Sequence, residues 1–235
     1  MYYSLMKYSN SIPKTSIVIP FKNPANSKQR LSKILTGAQR YELAISLFED
    51  TIDAVKSATN KNEDRFKIIV VTDSEYVDEI AKAHGADTFI EKVSEGETAA
   101  AYAAARRSIE LGFLRQVVIP GDMAALDPKD VYELLNTNPP SPSVVLCPAV
   151  GDDGTNAIMT SPPDSIPFRF GKASFPEYIE KANKLNLNTV VIRLKSFVLD
   201  VDTPEDLKAF SAKNLDTRSA NLVNNWFTSR SIKIA

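Results

Sequence analysis

The sequence contains very little of the residue types on which several enzyme classes depend. It has one cysteine, Cys147, and one histidine, His84. A single cysteine cannot form an intrachain disulfide, which indicates a reducing compartment. No Ser-His-Asp, Cys-His or zinc-ligand spacing is present, which argues against covalent acyl chemistry. Cys147 lies in an apolar run and His84 ends a predicted helix, so both are interpreted as structural residues.

An excess of charge of one sign and a long apolar segment are also missing. Lysine and arginine together number 28, against 29 aspartates and glutamates, so neither a nucleic-acid-binding surface nor an acidic tail is indicated. No run approaches the roughly 18 apolar residues of a membrane-spanning helix. The opening MYYSLMKYSNSIPK lacks the apolar segment of a signal peptide. We therefore expect a cytoplasmic protein.

The composition is that of one globular domain. Hydrophobic residues make up 43% of the 235-residue chain, which is enough to bury one large core. We predict an N-terminal extension over residues 1–14, a domain over 15–215, and a tail over 216–235 that contains the only tryptophan, Trp226. The tail is expected to dock on the domain or on a second subunit.

Short β-branched runs alternate with longer helical patterns. This alternation predicts an α/β fold in which helices flank both faces of a mostly parallel central sheet. Helices are predicted around residues 41–55, from Glu97 to Leu111, and from the starts at Asp127-Pro128 and Thr203-Pro204. The predicted strands are SIVIP (16–20), KIIVV (67–71), QVVIP (116–120), SVVLCP (143–148) and TVVIRL (189–194).

Basic residues are concentrated in the loop after the first predicted strand. The segment PFKNPANSKQRL carries Lys22, Lys28 and Arg30. Fixed positive charge there can oppose the negative charge that develops on leaving pyrophosphate, so the loop suits a triphosphate. It lacks the glycines of a P-loop, and a solvated basic loop is the alternative interpretation.

Carboxylates follow two other apolar runs. Asp122 comes directly after QVVIPG, and Asp200 and Asp202 alternate in FVLDVDTP, so they point to the same side if that segment is extended. Ligands of a parallel sheet gather beyond the carboxyl ends of its strands, which makes Asp122 with Asp200 or Asp202 a candidate Mg²⁺ site. Taken singly, a helix cap at Asp202 or Thr203 and a turn at Asp122 are the more frequent explanations, and the nearby basic loop shifts the balance toward a metal site.

A polar segment over residues 151–172 has weak periodicity and is rich in Gly, Pro, Asp and Ser, which is typical of a functional loop. It leads into PFRFGKASF, where Ser174 lies near the start of a predicted helix and can help to bind an anion. A turn and an N-cap would explain Ser174 without a ligand. The candidate residues for holding a small phospho-acid are Thr155, Asn156, Arg169, Gly171 and Ser174.

Six motifs occur in a characteristic order: IPFKN with SKQRL, VVTDS, IPGDM, DGTNA, PFRFGKASF and LDVDTPEDL. Together they resemble the 2-phospho-L-lactate guanylyltransferase family, including its relatives that activate phosphoenolpyruvate or 3-phosphoglycerate in biosynthesis of the deazaflavin coenzyme factor 420. The resemblance covers roughly residues 15 to 212. GTNA, FRFGKASF and LDVDTPEDL are specific, whereas VVTD and GD are shared widely among nucleotidyltransferases.

This resemblance implies a nucleotidyltransferase fold that is glycosyltransferase-A-like and Rossmann-like. It implies that Mg²⁺, with Mn²⁺ as a substitute, supports the joining of GTP to the phospho-acid and the release of pyrophosphate. A downstream deazaflavin transferase would accept the product, and a homodimer is compatible with the hydrophobic tail.

The resemblance also assigns residues to roles. Asp122, Asp200 and Asp202 match the metal ligands, and Thr155, Gly171 and Ser174 match positions that hold the phospho-acid. In the resulting hypothesis Lys28, Arg30 and Asp122 are catalytic, Lys22 contacts substrate, and Thr72, Asp73, Gly96 and Thr98 lie near the nucleotide. The family usually has Gly-Leu-Asn where this chain has Gly96-Glu97-Thr98, which makes guanine preference the least secure part of the match.

Two alternatives remain open at this stage. An enzyme of the same fold that makes a sugar nucleotide or transfers a sugar would use hexose phosphates. A nucleotide-binding subunit without catalysis would bind GTP and release no pyrophosphate with any acceptor.

Overall fold

The computed structural model describes residues 13–60, 62–90, 96–150, 153–229 and 232. Within them, strands and helices alternate along the chain as predicted. The strands are β1 Thr15–Pro20, β2 Phe66–Thr72, β3 Asp87–Ile90, β4 Arg115–Val118, β5 Ser143–Pro148, β6 Thr155–Ser161 and β7 Asn188–Val191. The helices are α1 Gly37–Thr59, α2 Glu75–Ala83, α3 Glu97–Glu110, α4 Pro128–Asn136, α5 Ser174–Lys184, α6 Pro204–Ser211 and α7 Arg218–Thr228. Most of the predicted N-terminal extension lies outside the described residues.

The seven strands form one sheet in the order β3-β2-β1-β4-β6-β5-β7. Strand β6 runs antiparallel to both of its neighbours, β4 and β5, and the other pairs are parallel. The predicted mostly parallel sheet with flanking helices is therefore confirmed. Because β6 is reversed, its first residues lie at the sheet edge where the parallel strands end, and Thr155 pairs with Pro148 at the end of β5.

Two strands differ from the sequence-based prediction. The segment 151–172 is predicted as a loop, but Thr155–Ser161 forms β6 inside the sheet. The polar residues of β6 obscure the apolar pattern that would predict a strand. Most of them are buried in the sheet, with hydrogen bonds such as that from Thr160 Oγ1 to the Pro163 carbonyl at 2.8 Å. Strand β3 is not among the predicted strands, because it is a four-residue edge strand without a buried side chain.

The helix starts follow from local capping. At α1, Thr36 and Gln39 form a reciprocal capping box. At α4, the Asp127 carboxylate accepts from the Lys129 backbone N–H at 2.8 Å and Pro128 occupies the first turn, as predicted. Within the described residues, no helix combines the length and the apolar character needed to cross a bilayer.

Three apolar clusters hold the layers together. Helices α1, α2 and α4 cover one face of the sheet. On the other face, the alanines of α3 approach the strands closely beside Tyr178 of α5. The third cluster joins the outer side of α1 to α6 and α7 and includes Trp226, which is 8% exposed.

The C-terminal helix α7 is also fixed by polar contacts. The Asp50 carboxylate on α1 accepts from the backbone N–H groups of Arg218 and Ser219, at 3.0 and 2.9 Å. Arg218 also forms an ion pair with Asp53. These contacts attach α7, which lies within the predicted tail, to α1.

Arg115, the first residue of β4, has a buried guanidinium that ties two layers together. It is 2% exposed and donates to Thr15 Oγ1 at 2.9 Å and to the Thr137 and Leu135 carbonyls, at 3.1 and 2.7 Å. Those carbonyls lie at the C-terminal end of α4, where helical carbonyls lack intrahelical partners. Burial lowers the pKa of Arg115 to about 10, so the group stays charged at neutral pH.

We therefore expect Arg115→Met to lower the free energy of unfolding by roughly 3 kcal/mol, since the substitution leaves buried acceptors without donors. Urea denaturation followed by circular dichroism measures the effect. The matched control is Arg107→Met, whose half-exposed side chain pairs with Glu110 on the same helix, for which the loss should stay below about 0.5 kcal/mol. Equal stability of the two variants would contradict the structural role given to Arg115.

Candidate active site

Three carboxylates converge on one lysine at the carboxyl edge of the sheet. The Lys28 ammonium lies 2.6 Å from Asp122 Oδ2, 3.2 Å from Asp202 Oδ1 and 3.5 Å from Asp200 Oδ1. Lys28 belongs to the loop after β1, Asp122 follows β4, and the other two aspartates precede α6. The three loops thus meet at one point, and we refer to these four residues as the Lys28 cluster.

Burial is distributed unevenly among the charged groups of the Lys28 cluster. The Lys28 side chain is 3% exposed, while those of Asp122, Asp200 and Asp202 are 39%, 58% and 38% exposed. Burial opposes the charge on Lys28, but the three carboxylates outweigh it and raise the pKa of the lysine above its ordinary value. The ammonium in turn lowers the pKa of Asp122. Desolvation, together with the negative charges of Asp122 and Asp202, raises the pKa of Asp200 to about 6, although the positive charge of Lys28 opposes this shift.

The backbone positions two members of the Lys28 cluster by unusual means. Lys28 adopts a left-handed conformation with φ of 53°, at the start of a 3-10 helix, Gln29–Leu31, whose Leu31 is fully buried. Before Asp122, Gly121 passes so close to Phe21 that an added Cβ would lie 2.8 Å from the phenylalanine Cβ. A glycine is therefore required there to bring the β4 loop against the β1 loop.

Asp202 is held by the cap of α6. The Asp206 carboxylate accepts from the backbone N–H groups of Asp202 and Thr203, at 3.2 and 2.8 Å. Thr203 and Asp206 complete a capping box, so the cap that the sequence predicts falls on Thr203. The carboxylate of Asp202 is left available for Lys28 and for Arg30, whose guanidinium is 3.7 Å away and largely exposed.

The loops after β1 and β2 are joined directly. Asp73 accepts from the Asn23 backbone N–H at 2.7 Å, and Thr72 accepts from the Ser74 N–H at 3.1 Å. Lys22 lies in the same β1 loop and is partly buried. Asp73 thus ties the β2 loop to the basic loop, and both Asp73 and Thr72 have protein partners.

Two hydroxyl groups meet where β6 and α5 begin. Ser174 Oγ donates to Thr155 Oγ1 at 3.0 Å, and both residues are buried. Gly171, with φ of 95°, forms the turn before α5 and accepts from the Ser174 backbone N–H at 3.2 Å. Helix α5 begins at Ser174, one residue earlier than predicted. Three of the five predicted acceptor residues therefore come together.

The other two acceptor candidates have protein partners nearby. Asn156 donates from Nδ2 to the Phe197 carbonyl at 2.5 Å, which braces the segment leading to Asp200. Arg169 is half-exposed and its Nε lies 2.9 Å from Glu177. Each of them stabilises a loop of the site.

The first turn of α3 connects the Lys28 cluster to the acceptor segment. Gly96 precedes it with φ of 93°, and Thr98 Oγ1 accepts from the Phe170 backbone N–H at 3.3 Å. Between them, Glu97 Oε1 is shielded from solvent and has no hydrogen-bond partner among the described residues. Burial, with the negative charges of Asp122 and Asp200, raises the pKa of Glu97 to about 8. In the sequence Glu97 stands out only as a departure from the family pattern, and no motif places it in the site.

The Lys28 cluster has the donor chemistry that a hard divalent cation requires. Carboxylate oxygens are the ligands that Mg²⁺ prefers, usually one or two of them together with substrate phosphates and water. Within the described residues, no group of three or more acidic, histidine or cysteine side chains is arranged to hold a metal ion, and Lys28 lies among the carboxylates. The residues therefore fit a cation that is bound jointly with phosphates better than one held by protein alone.

Comparison with known proteins decides the family. Residues 15–230 match a family model described as guanylyl transferase CofC like. The chain belongs to this guanylyltransferase family. It is therefore a nucleotidyltransferase of a family that acts on phospho-acids. The match extends through α7, so the tail is part of the family pattern, contrary to the narrower range expected from the motifs.

Curated relatives of the family name different acceptors. A 3-phospho-D-glycerate guanylyltransferase from Colwellia psychrerythraea is 42% identical over 83% of this chain and 90% of its own length. A phosphoenolpyruvate guanylyltransferase from Rubrobacter xylanophilus is 29% identical over 83% of this chain and 92% of its own.

Solved structures support the fold. A putative nucleotide-diphospho-sugar transferase from Desulfovibrio desulfuricans has a TM-score of 0.75 at 17% identity, covering 95% of this chain and 100% of that one. A Mycobacterium tuberculosis protein in complex with manganese has a TM-score of 0.53 at 16% identity, covering 86% of this chain and 100% of that one. The nucleotidyltransferase fold is thus confirmed.

Removing the ammonium from the Lys28 cluster should destabilise the protein in a pH-dependent way. We expect Lys28→Met to lower the free energy of unfolding by about 2 kcal/mol at pH 7, after allowance for solvent screening of the carboxylates. Without the ammonium, burial and mutual repulsion raise the pKa values of the carboxylates in the folded variant above those in the unfolded chain, so the folded variant is destabilised at pH 7 and this penalty is relieved as the carboxylates take up protons. The gap to wild type should therefore narrow as the pH falls from 7 toward about 4, where the carboxyl groups protonate.

Urea denaturation at several pH values measures this gap. The matched control is Arg30→Met in the same loop, where the side chain is 76% exposed and little change is expected. A gap that stays constant between pH 7 and pH 4 would show that Lys28 does not stabilise ionised carboxylates.

Proposed function

We propose that this enzyme transfers the guanylyl group of GTP to 3-phosphoglycerate and releases pyrophosphate. The observation that carries the proposal is the convergence of the Lys28 cluster with the Thr155–Ser174 hydroxyl pair at one edge of the sheet. The relative that shares 42% identity is named for 3-phospho-D-glycerate, which favours this acid over phosphoenolpyruvate and 2-phospho-L-lactate.

The chemistry needs no protein nucleophile. An oxygen of the acceptor phosphate attacks the α-phosphorus of GTP, a new P–O–P linkage forms, and the bond to the leaving pyrophosphate breaks. Positioning and charge neutralisation then account for the rate. The product carries the guanylyl group on the phosphate of 3-phosphoglycerate.

The protein groups are arranged to hold the two substrates on either side of the reacting phosphorus. Arg30, largely exposed beside Asp202, faces the triphosphate together with Lys28, and Lys22 extends the same basic loop. Thr155, Gly171 and Ser174 hold the acceptor, and the Thr155 hydroxyl group, which accepts from Ser174 Oγ, would donate its own hydrogen to it. Thr72, Asp73, Gly96 and Thr98 border the nucleotide.

A divalent cation completes the proposed site. Asp122, Asp200 and Asp202 would hold Mg²⁺, with Mn²⁺ as a substitute, and bound Mg²⁺ would neutralise phosphate charge during transfer. The pathway proposal is that the product goes to a deazaflavin transferase in factor 420 biosynthesis. The cytoplasmic location and a homodimer remain predictions.

The proposal predicts which substrates react. Purified protein is incubated with Mg²⁺, each of the four nucleoside triphosphates, and 3-phosphoglycerate, phosphoenolpyruvate or 2-phospho-L-lactate, with the downstream transferase present to consume unstable product. Pyrophosphate release should be highest with GTP and 3-phosphoglycerate. Release with hexose phosphates alone would point to a sugar nucleotidyltransferase, and GTP binding without release would point to a non-catalytic subunit.

Asp122 should be essential for turnover. We expect Asp122→Asn to reduce kcat by about 100-fold or more, because the variant loses a charged ligand for the cation on the phosphates. The control is Asp64→Asn, an exposed carboxylate before β2 at the opposite edge of the sheet. Circular dichroism confirms folding of both variants. Unchanged turnover and Mg²⁺ dependence in folded Asp122→Asn would contradict the mechanism.

A further inference from the structure

Glu97 combines features that a purely structural residue rarely has. Its Oε1 atom is buried and has no hydrogen-bond partner among the described residues. Glu97 lies in the first turn of α3, where a solvent-exposed carboxylate would interact with the helix dipole just as favourably, so helix stability does not require this burial. A buried carboxyl oxygen without a partner costs folding free energy. The negative charges of Asp122 and Asp200 add to that cost. A missing partner of this kind is supplied most simply by a ligand.

Two sets of contacts place Glu97 between the Lys28 cluster and the acceptor segment. On one side it interacts electrostatically with Asp122 and Asp200. On the other, its neighbour Thr98 accepts from the Phe170 N–H at 3.3 Å. Tyr178, which accepts from the Arg169 N–H at 2.8 Å, also interacts electrostatically with Glu97. The carboxyl group therefore lies between the Lys28 cluster and the acceptor segment.

The chemistry of the available ligands narrows the partner. Whether it is ionised or protonated, the Glu97 carboxyl group keeps an oxygen that can only accept, and phosphates and carboxylates offer no donor to that oxygen at neutral pH. A hydroxyl group can donate a hydrogen bond to it. Phosphoenolpyruvate and 2-phospho-L-lactate have no free hydroxyl group, whereas 3-phosphoglycerate has one at C2.

We propose that Glu97 accepts a hydrogen bond from the hydroxyl group on the carbon skeleton of the phospho-acid and is the residue by which this enzyme selects hydroxylated acceptors. The inference rests on the proposed guanylyl transfer. Glu97 is thus a specificity-determining residue of the acceptor site.

The decisive probe is 3-phosphonooxypropanoate, which is 3-phosphoglycerate without the C2 hydroxyl group. For the wild type, kcat/KM should favour 3-phosphoglycerate over this analogue by about 100-fold or more, because a site built to hydrogen-bond a hydroxyl group rejects the analogue that lacks it. In Glu97→Leu the ratio should fall to within about threefold of unity, mainly through loss of activity with 3-phosphoglycerate. Glu97→Gln should retain part of the preference, because its amide oxygen can still accept.

Several controls distinguish acceptor selection by Glu97 from a purely structural role and from a contact with the nucleotide. Glu110→Leu changes an exposed glutamate at the far end of the same helix and should leave the ratio intact. The Tm of Glu97→Leu should rise by about 3 °C, because the unpartnered buried carboxyl is removed. Calorimetric titration with 3-phosphoglycerate reports binding without turnover. Deoxy-GTP analogues lacking the 2′ or 3′ hydroxyl group, and ITP, which lacks the guanine amino group, test the nucleotide beside Gly96 and Thr98 as the alternative source of the hydrogen-bond donor.

Each outcome has a definite meaning. A collapse of the acceptor ratio with unchanged discrimination between GTP and its deoxy analogues supports the inference. An unchanged acceptor ratio in Glu97→Leu overturns the inference. The inference is also overturned if Glu97→Leu loses discrimination between GTP and its analogues while the acceptor ratio stays the same. An Mg²⁺ requirement that rises equally with every acceptor overturns it as well. A wild type that releases no pyrophosphate with any acid refutes the proposed function and the inference with it. A wild type that is active but indifferent to the hydroxyl group refutes the inference alone.

Discussion

Three carboxylates can remain ionised within a few ångströms of one another only if positive charge lies among them, and this constraint governs the active-site edge of the molecule. The Lys28 ammonium satisfies it at 2.6 to 3.5 Å from Asp122, Asp200 and Asp202. Because these residues belong to three separate loops, the same interaction fixes the loops relative to one another. The strained backbone of Lys28 and the close approach of Gly121 to Phe21 are local costs of that convergence.

The topology brings a second set of groups to the same place. If β6 were parallel to its neighbours, Thr155 would lie at the opposite edge of the sheet. Its reversal between β4 and β5 places the start of the strand at the carboxyl edge, beside the N-terminus of α5 and within 3.0 Å of Ser174. A single antiparallel strand therefore brings these two hydroxyl groups to the same edge of the sheet as the carboxylates.

The sequence predicts those parts of this arrangement that depend on local patterns. The five β-branched runs and the caps at Asp127 and Thr203 are recognisable because burial and capping act over a few residues. The rule that ligands gather at strand ends also places Asp122, Asp200 and Asp202 at one edge. Strand β6 escapes prediction because its polar residues are buried through tertiary contacts. The position of Lys28 among carboxylates up to 174 positions away, and the unpartnered oxygen of Glu97, depend on long-range packing that no local pattern records.

The charges of the site give a physical reason why both substrates would bind as complexes with divalent cations. Asp122, Asp200 and Asp202 face Lys28 and Arg30, so three negative charges meet two positive ones, and Glu97 adds a further acidic group that burial tends to neutralise. A triphosphate and a phospho-acid approaching such a site would meet no surplus of positive charge from these residues. In the proposed mechanism, divalent cations that arrive with the phosphates would correct that deficit, with the aspartates as their ligands. The carboxylates would then recognise the cations and the Thr155–Ser174 hydroxyl pair the acid, so a change of acceptor would leave the transfer chemistry the same.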